Sequence, residues 1–126
     1  MEKFVRPRPQ FPNKAVVTCG MPYGNKELHF AHVGLALRAD TFAQFLRDRI
    51  GEENVVFVSG TDCYGSPALE YFRAKSASGE IKDKSVKEFV ERNHKSHIDT
   101  FNSFGVRFNL FGASALGRAG EIHNET

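Results

Sequence analysis

Two histidines in the segment MPYGNKELHFAHVG stand close together at the start of a stretch with helical spacing. Such imidazoles could bind a metal ion, donate hydrogen bonds to a phosphate, or be surface side chains without a chemical role. A helix start offers an anion unpaired N–H groups and the positive end of the helix dipole. His29 and His32 are therefore candidate phosphate-facing groups, and the other two interpretations stay open at this point.

Zinc is the weaker of the two chemical interpretations. The metalloprotease motif places two histidines at i and i+4 with a glutamate between them, which this segment does not do. Asp62 and Cys63 could complete only an irregular mixed site. The glycine-rich phosphate loops of P-loop and dinucleotide-binding folds are also missing from the sequence. We therefore expect no zinc site in this chain.

A strand and a turn precede the two histidines. The apolar run over 14–19 indicates a short buried strand that ends before Gly20. Pro22, Gly24 and Asn25 then indicate a turn, because these residue types favour the backbone conformations that turns require. The candidate site therefore lies on a loop that follows a strand.

A long helix and a second strand should come next. From about Leu28, apolar residues recur at helical spacing as far as Gly51, a residue type common just after a helix end. The predicted apolar stripe of this helix consists of Leu35, Ala39, Phe42, Leu46 and Ile50. The continuous apolar run 54–58 indicates a strand that is buried on both faces.

The remaining elements follow a turn-rich loop over 59–65. Pro67 suits the first turn of a helix, and Ser85 with Glu88 matches a capping box at the start of another. The apolar side of that last helix carries Val86, Phe89, Val90, Asn93, His97, Phe101 and Phe104. His97 is therefore predicted to be a hydrogen-bonded core residue. The alternating run 106–110 indicates a strand, and 121–126 resembles a helix start.

This order of strands and helices predicts an α/β fold with a Rossmann-like parallel sheet and flanking helices. In such sheets ligands bind at the carboxyl ends of the strands. The loops 20–32 and 59–66 both follow a strand and precede a helix. We expect these two loops to meet at that edge of the sheet.

Composition excludes several classes of protein. The chain has 126 residues, a length typical of a single domain, and its net charge of +2 does not argue for DNA binding. Two cysteines favour a reducing compartment over a disulfide scaffold. Neither a signal peptide nor a membrane span is indicated. We therefore expect a cytoplasmic protein with no membrane partner.

The two loop segments carry a family resemblance. TCGMPYGNKELHFAH followed by VVFVSGTDCYGSP resembles the catalytic domain of class I aminoacyl-tRNA synthetases, in particular the methionyl-tRNA synthetases. HFAH matches their HIGH-type signature, and GTDCYGSP is similar to their GTDxxGxP stretch. FNSFGVRFNLFGAS is similar to the strand region that follows there. The resemblance covers Lys14 to Ala113 and implies that 14–126 is the first half of that domain, after an extended lead-in over 1–13.

The resemblance implies an ATP-dependent ligase. In this family ATP and methionine give methionyl-adenylate and pyrophosphate, and the amino acid then moves to the tRNA 3′ end. ATP is thus a substrate, with Mg²⁺ expected to accompany it. The catalytic histidines facing the ATP phosphates would be His29 and His32, and Ala31 between them would lie beside the adenine.

The same resemblance assigns the methionine pocket. Asp62 would hold the α-ammonium, Tyr23 would pack over the side chain, and Met21 would line the pocket through its backbone. Apart from the resemblance, Tyr23 could be an ordinary turn-packing aromatic and Asp62 could simply cap the next helix.

Three departures from the family support an alternative function. Ala31 replaces the signature glycine, Cys63 and Tyr64 change part of the pocket, and no KMSKS loop, zinc-bearing insertion or anticodon-binding domain occurs within these 126 residues. The alternative is a non-catalytic paralogue that acts as an amino-acid- or nucleotide-binding or interaction module. In either case we expect the 126 residues alone to be inactive in tRNA charging.

Overall fold

A parallel sheet forms the centre of the computed structural model, which describes residues 9–125. Within that range the sheet has three strands in the order β1-β2-β3, namely β1 Ala15–Thr18, β2 Val55–Thr61 and β3 Leu110–Ala113. The helices are α1 Phe30–Ile50, α2 Ser66–Ala77, α3 Val86–Ser103 and α4 Gly117–Glu125, with a 3-10 turn over Glu52–Asn54. The predicted α/β fold with a parallel sheet is confirmed.

The core lies between the sheet and the helices α1 and α3. Phe57 at the centre of β2 is completely buried, and its ring lies 4.4 Å from that of Phe108. Its neighbours in the core are Val17, Ala36, Ala43, Leu46, Val55, Phe101 and Val106. Burial of these side chains fixes the sheet against the helices, because each large apolar side chain removed from water contributes about 1.5–3 kcal/mol.

The buried face of α1 differs from the predicted stripe. Leu35 and Phe42, both assigned to that stripe, are 48% and 54% exposed. The buried positions are Val33, Ala36, Asp40, Ala43, Leu46 and Arg47. The prediction is wrong for Leu35 and Phe42, whereas Leu46 is buried and Ala39 and Ile50 pack against the core. Two of the buried positions are polar. Asp40 accepts the backbone N–H of Arg107 at 2.9 Å, and Arg47 donates to the Asn109 side chain at 2.6 Å, so both are buried with partners.

The third strand begins later than predicted. The sequence pattern indicated 106–110, whereas β3 is Leu110–Ala113. The backbone N–H of Val106 is bonded to the carbonyl of Phe101, which closes the end of α3. The side-chain oxygen of Asn109 accepts the N–H of Phe57 at 2.7 Å, in place of a strand carbonyl. These hydrogen bonds hold the segment before β3 outside the regular ladder.

One face of the sheet is open. Val16, Val56 and Leu110 are 70%, 43% and 63% exposed, and the strand register places them on the same side. The prediction that the run 54–58 is buried on both faces is therefore wrong for Val56. We call these three residues the open sheet face.

Helix α3 agrees with its prediction except at its ends. The buried residues are Phe89, Val90, Asn93, His97 and Phe101, whereas Val86 and Phe104 are exposed. Ser85 accepts the N–H of Glu88, but the Glu88 carboxylate accepts the N–H of Lys84 instead of Ser85, so the capping box is only half formed.

The last helix of the chain begins before its predicted start. Helix α4 starts at Gly117, before the predicted 121, and Thr126 lies outside the described residues. Residues 1–8 of the predicted lead-in lie outside them too, and 9–12 form no helix or strand. Among the helices of the described range, none is long and apolar enough to cross a membrane.

Candidate active site

The two loops meet beyond the carboxyl ends of β1 and β2. Tyr23 and Asp62 form an isolated parallel bridge. The N–H of Gly24 donates to the carbonyl of Asp62 at 2.7 Å, and the N–H of Asp62 donates to the carbonyl of Pro22 at 2.8 Å. The prediction that these loops meet at this edge is confirmed, and the pairing extends the sheet into the candidate site.

His29 and His32 close the first turn of α1. His29 is the N-cap, and its Nδ1 accepts the N–H of Ala31 at 3.3 Å. The N–H of His29 in turn donates to Nδ1 of His32 at 3.3 Å, and the two ring centroids are 3.9 Å apart. Because each Nδ1 is an acceptor here, the proton of each neutral ring lies on Nε2. Both histidines therefore carry an Nε2–H that can donate to another group.

The environment keeps His32 neutral. Burial lowers the pKa of His32 below 6.5, and the nearby His29, His97 and Lys26 lower it further. Near pH 7 the ring is then an uncharged donor. Such a group can hydrogen-bond to an anion without bringing a full positive charge of its own.

Tyr23 and His32 line a common cavity of about 110 Å³. Its other walls are Pro22, Asn25, Lys26, Glu27 and Leu28. Met21, Ala31 and Asp62 do not line this cavity. Tyr23 itself is 53% exposed, so its ring presents a large open surface beside the cavity. The structure thus brings one histidine and the tyrosine together, and connects Asp62 to them through the loop backbone.

Asp62 does not cap a helix. Its Oδ1 accepts the N–H of Tyr64 at 3.1 Å, which is a turn within the loop. The N-cap of α2 is Gly65, which makes no side-chain cap hydrogen bond. The alternative interpretation of Asp62 as a helix cap is therefore wrong. Its carboxylate stabilises the loop that follows β2.

Glycines allow the loops to pack tightly. A Cβ on Gly60 would lie 2.6 Å from the carbonyl oxygen of Gly112 and 3.0 Å from Cε of Met21. A Cβ on Gly24 would lie 3.1 Å from both Thr61 and Val90. The side chain of Met21 is thus packed at the end of β2, although 45% of the residue is exposed.

Polar residues of α3 anchor the same loops, although no sequence motif marks them as part of the site. Thr61 Oγ1 lies 2.8 Å from Nδ1 of His94 and 3.0 Å from Nδ1 of His97. His97 Nε2 lies 2.9 Å from the carbonyl oxygen of Lys26, and Asn93 donates to the carbonyl of Gly24 at 2.9 Å. The signal in the sequence was the presence of Asn93 and His97 on an otherwise apolar stripe. The prediction that His97 is a hydrogen-bonded core residue is confirmed.

A larger cavity adjoins the loop after β2. Its volume is about 650 Å³, and its walls are mostly apolar, formed by residues 63–66, 68, 69, 86, 87, 90, 115 and 116. Cys63 and Tyr64 belong to this wall and directly follow Asp62. The site therefore lies between a small cavity at the start of α1 and a larger one beside α2.

Metal-binding side chains do not cluster in this part of the molecule. Over residues 9–125, no group of three or more His, Cys, Asp or Glu side chains is placed to hold a metal ion. In the histidine pair, Nδ1 of His29 and Nδ1 of His32 each accept a hydrogen bond from a backbone N–H.

The parallel sheet, the paired loop at the carboxyl ends of its strands and the histidine-capped helix form an α/β arrangement of the kind in which ligands bind at that edge of the sheet. Comparison with known proteins agrees. The family model for class I tRNA synthetases (M) matches residues 15–125, and the chain belongs to this family.

Similar proteins are named methionine–tRNA ligases. The chain is 39% identical over 99 residues to the methionine–tRNA ligase of Thermoplasma volcanium. This match covers 78% of this chain and 17% of the relative. It is 38% identical over 111 residues to the methionine–tRNA ligase of Methanosarcina acetivorans, and this match covers 88% of this chain and 14% of the relative. It is 34% identical over 97 residues to the methionine–tRNA ligase of Archaeoglobus fulgidus, and this match covers 77% of this chain and 13% of the relative. The chain thus spans 13% to 17% of the length of these relatives.

Proposed function

We propose that this chain supplies the methionine- and ATP-binding part of a methionine–tRNA ligase. In the complete enzyme, a methionine carboxylate oxygen attacks the α-phosphorus of ATP. The bond from that phosphorus to the oxygen bridging the β-phosphate breaks, and pyrophosphate leaves. The methionyl group of the resulting adenylate then passes to the 3′ end of tRNA. We further propose that the enzyme works in the cytoplasm, where tRNA is charged.

His29 and His32 are proposed to act on the phosphates. Their Nε2–H groups stand at the start of a helix of 21 residues, where the helix dipole also favours negative charge. Donors held in place before the reaction stabilise charge that develops in the transition state, and each can contribute about 10²–10³ in rate. Ala31 between them is proposed to lie beside the adenine.

Three residues are proposed to bind methionine. Asp62 pairs with the α-ammonium, Tyr23 packs over the thioether side chain, and Met21 lines the pocket through its backbone. The pairing of the Tyr23 and Asp62 backbones is the observation that supports this best, because it brings both segments of the resemblance to the same edge of the sheet.

Magnesium would enter with ATP. Mg²⁺ usually takes one or two carboxylates together with the phosphates of its nucleotide. The described residues do not form a metal-holding cluster of their own. The residues therefore fit a metal held mainly by the substrate, and its positive charge would help to neutralise the phosphates.

Calorimetric titration with methionine tests the pocket. Asp62→Asn removes the negative charge and keeps the shape, so the loss of a charge-assisted hydrogen bond should weaken binding by about 10- to 150-fold. Asp48→Asn is the matched control, since Asp48 is an exposed carboxylate far along α1. Methionine binding that is equal in the parent and the Asp62 variant would contradict the proposed role of Asp62.

Ala31 favours a second candidate function, a binding or interaction module without ligase activity. Its methyl group stands where the family signature has glycine, on the exposed first turn of α1. The module would bind methionine or nucleotide but would not form the adenylate. Exchange of labelled pyrophosphate into ATP, measured with methionine present and absent, distinguishes the two functions.

A further inference from the structure

A chain of hydrogen bonds crosses from α3 to both loops of the site. His97 is completely buried, and its two ring nitrogens lie near Thr61 Oγ1 and the carbonyl oxygen of Lys26. Thr61 is also completely buried, and its hydroxyl lies near the ring of His94. Thus one side chain connects the end of β2 with the loop that leads to α1.

The partners fix the direction of each hydrogen bond. A carbonyl oxygen can only accept, so Nε2 of His97 must carry a proton and donate it to Lys26. Nδ1 of a neutral His97 is then an acceptor, and the hydroxyl of Thr61 donates to it. Because that hydroxyl has a single proton, Nδ1 of His94 must be the donor to Thr61 Oγ1.

Burial supports this assignment. It lowers the pKa of both His94 and His97 below 6.5, so both rings are neutral near pH 7. The hydrogen bond with the carbonyl of Lys26 raises the pKa of His97, but burial lowers that pKa by more. Stacking of the His94 ring on Phe111, with centroids 5.6 Å apart, holds that ring in its orientation.

We propose that His97 is a positioning residue, which holds the loop carrying Tyr23 against the end of β2 by donating to Lys26 and accepting from Thr61. His97 does not line the cavity that Tyr23 and His32 share. It acts through the Lys26 carbonyl, which stands between Tyr23 and the two histidines in the sequence. Its effect on ligands rests on the proposed function, whereas its effect on the loop does not.

Nuclear magnetic resonance tests the donor and acceptor roles in this series of hydrogen bonds without any ligand. Long-range proton–nitrogen spectra of the polypeptide distinguish a protonated ring nitrogen from an unprotonated one. At pH 7.5 we expect the proton of His97 on Nε2 and that of His94 on Nδ1. The opposite tautomer at His97 would overturn the proposal, since Lys26 would then lack its donor.

Two variants separate positioning from general stability. The amide nitrogen of glutamine can reach the place of Nε2, whereas that of asparagine reaches the place of Nδ1. His97→Gln therefore keeps the donor to Lys26, and His97→Asn leaves that carbonyl without one. The readouts are hydrogen exchange of the Gly24 and Asp62 amides, which join the two loops, and of the Val17 amide in β1.

We expect His97→Asn to speed exchange at Gly24 and Asp62 by about 5- to 100-fold relative to Val17. His97→Gln should exchange close to the parent rates. Equal acceleration at all three amides, or equal behaviour of the two variants, would show that His97 is only a packing residue and overturn the proposal.

Methionine titration of the same variants tests the consequence for binding. Where the parent binds methionine, the Asn variant should bind it at least about fivefold more weakly than the Gln variant. Equal methionine affinity of the two variants would overturn the link between His97 and the pocket. A parent that binds neither methionine nor ATP would contradict the proposed function, while the exchange data would still decide the role of His97.

Discussion

Asn93 donates its side-chain N–H to the carbonyl of Gly24 at 2.9 Å, and only 2% of Asn93 is exposed. The turn after β1 is therefore held by a residue of α3, from far along the chain. The neighbouring N–H of Gly24 is bonded to Asp62, so both polar groups of this glycine are satisfied. The turn is therefore bonded both to the loop after β2 and to α3.

Replacing Asn93 with Leu should destabilise the fold. The change leaves the buried carbonyl of Gly24 without a donor, which costs about 1–3 kcal/mol in the free energy of unfolding. Urea unfolding followed by circular dichroism measures this. Asn102→Leu, at an exposed position of α3, is the control. A loss that is no larger for the Asn93 variant than for the control would show that the hydrogen bond to Gly24 contributes little.

Gly60→Ala should separate β2 from β3. Its new methyl group would lie 2.6 Å from the carbonyl oxygen of Gly112, too close for any carbon. The backbone must shift, at a cost of about 1–3 kcal/mol. Gly112→Ala is the matched control in the facing strand, because a Cβ there has no atom within 4 Å. Similar unfolding midpoints for the two alanine variants would contradict the close approach.

Stability should fall as the pH is lowered through the histidine range. The pKa values of His32, His94 and His97 lie below 6.5 in the folded chain, mainly because of burial. The unfolded chain therefore takes up protons first, near pH 6.5, and stability is complete only above that pH. Thermal unfolding between pH 8 and pH 5 should show this decline. His97→Gln should give a shallower decline, and an equal slope in parent and variant would mean that His97 does not contribute.

The open sheet face should cause self-association. Val16, Val56 and Leu110 are exposed on the same side of the sheet, and exposed apolar side chains grouped on one face favour association. Sedimentation velocity of the polypeptide should show dimers or larger species. The double variant Val16→Thr, Val56→Thr should reduce them, whereas Phe104→Thr should not, since Phe104 is exposed at the end of α3. A parent that sediments as a monomer at high concentration would refute this expectation.

Ala31→Gly should strengthen ATP binding, if Ala31 lies beside the adenine as proposed. One methyl group too many against a closely packed ring costs about 1–3 kcal/mol, which corresponds to about 5- to 100-fold in affinity. Equilibrium binding of labelled ATP measures the change. Ala74→Gly in α2 controls for the loss of helix stability that glycine causes. Equal or weaker binding by the Ala31 variant would show that the pocket already accommodates the methyl group.

Local patterns predicted the order and the class of the elements. The segment before His29 was predicted as a strand and a turn, and both are present, because these signals lie in neighbouring residues. The face of α1 was predicted only in part, because the partners of the buried Asp40 and Arg47 come from residues that lie far away in the sequence. The start of β3 was predicted wrongly for a similar reason, since the Asn109 side chain takes the place of a strand carbonyl.

In the candidate site, too, some residues could be selected from the sequence and others only from the structure. His29, His32 and Asp62 were selected by motif, and the meeting of their loops followed from the rule for parallel sheets. Thr61, Asn93 and His94 were not selected, because their roles arise only when α3 packs against the loops. A polar residue within an apolar stripe was the available signal, and it indicates burial with a partner without saying which partner.

The bond between His97 and Lys26 spans 71 positions of the sequence, which has a consequence during synthesis on the ribosome. At about 5–20 residues per second, the loop before α1 leaves the ribosome roughly 4–14 s before the histidine that anchors it. During that interval the carbonyl of Lys26 lacks its His97 donor, although β1 and α1 are already made. The site should therefore be among the last parts of this region to form.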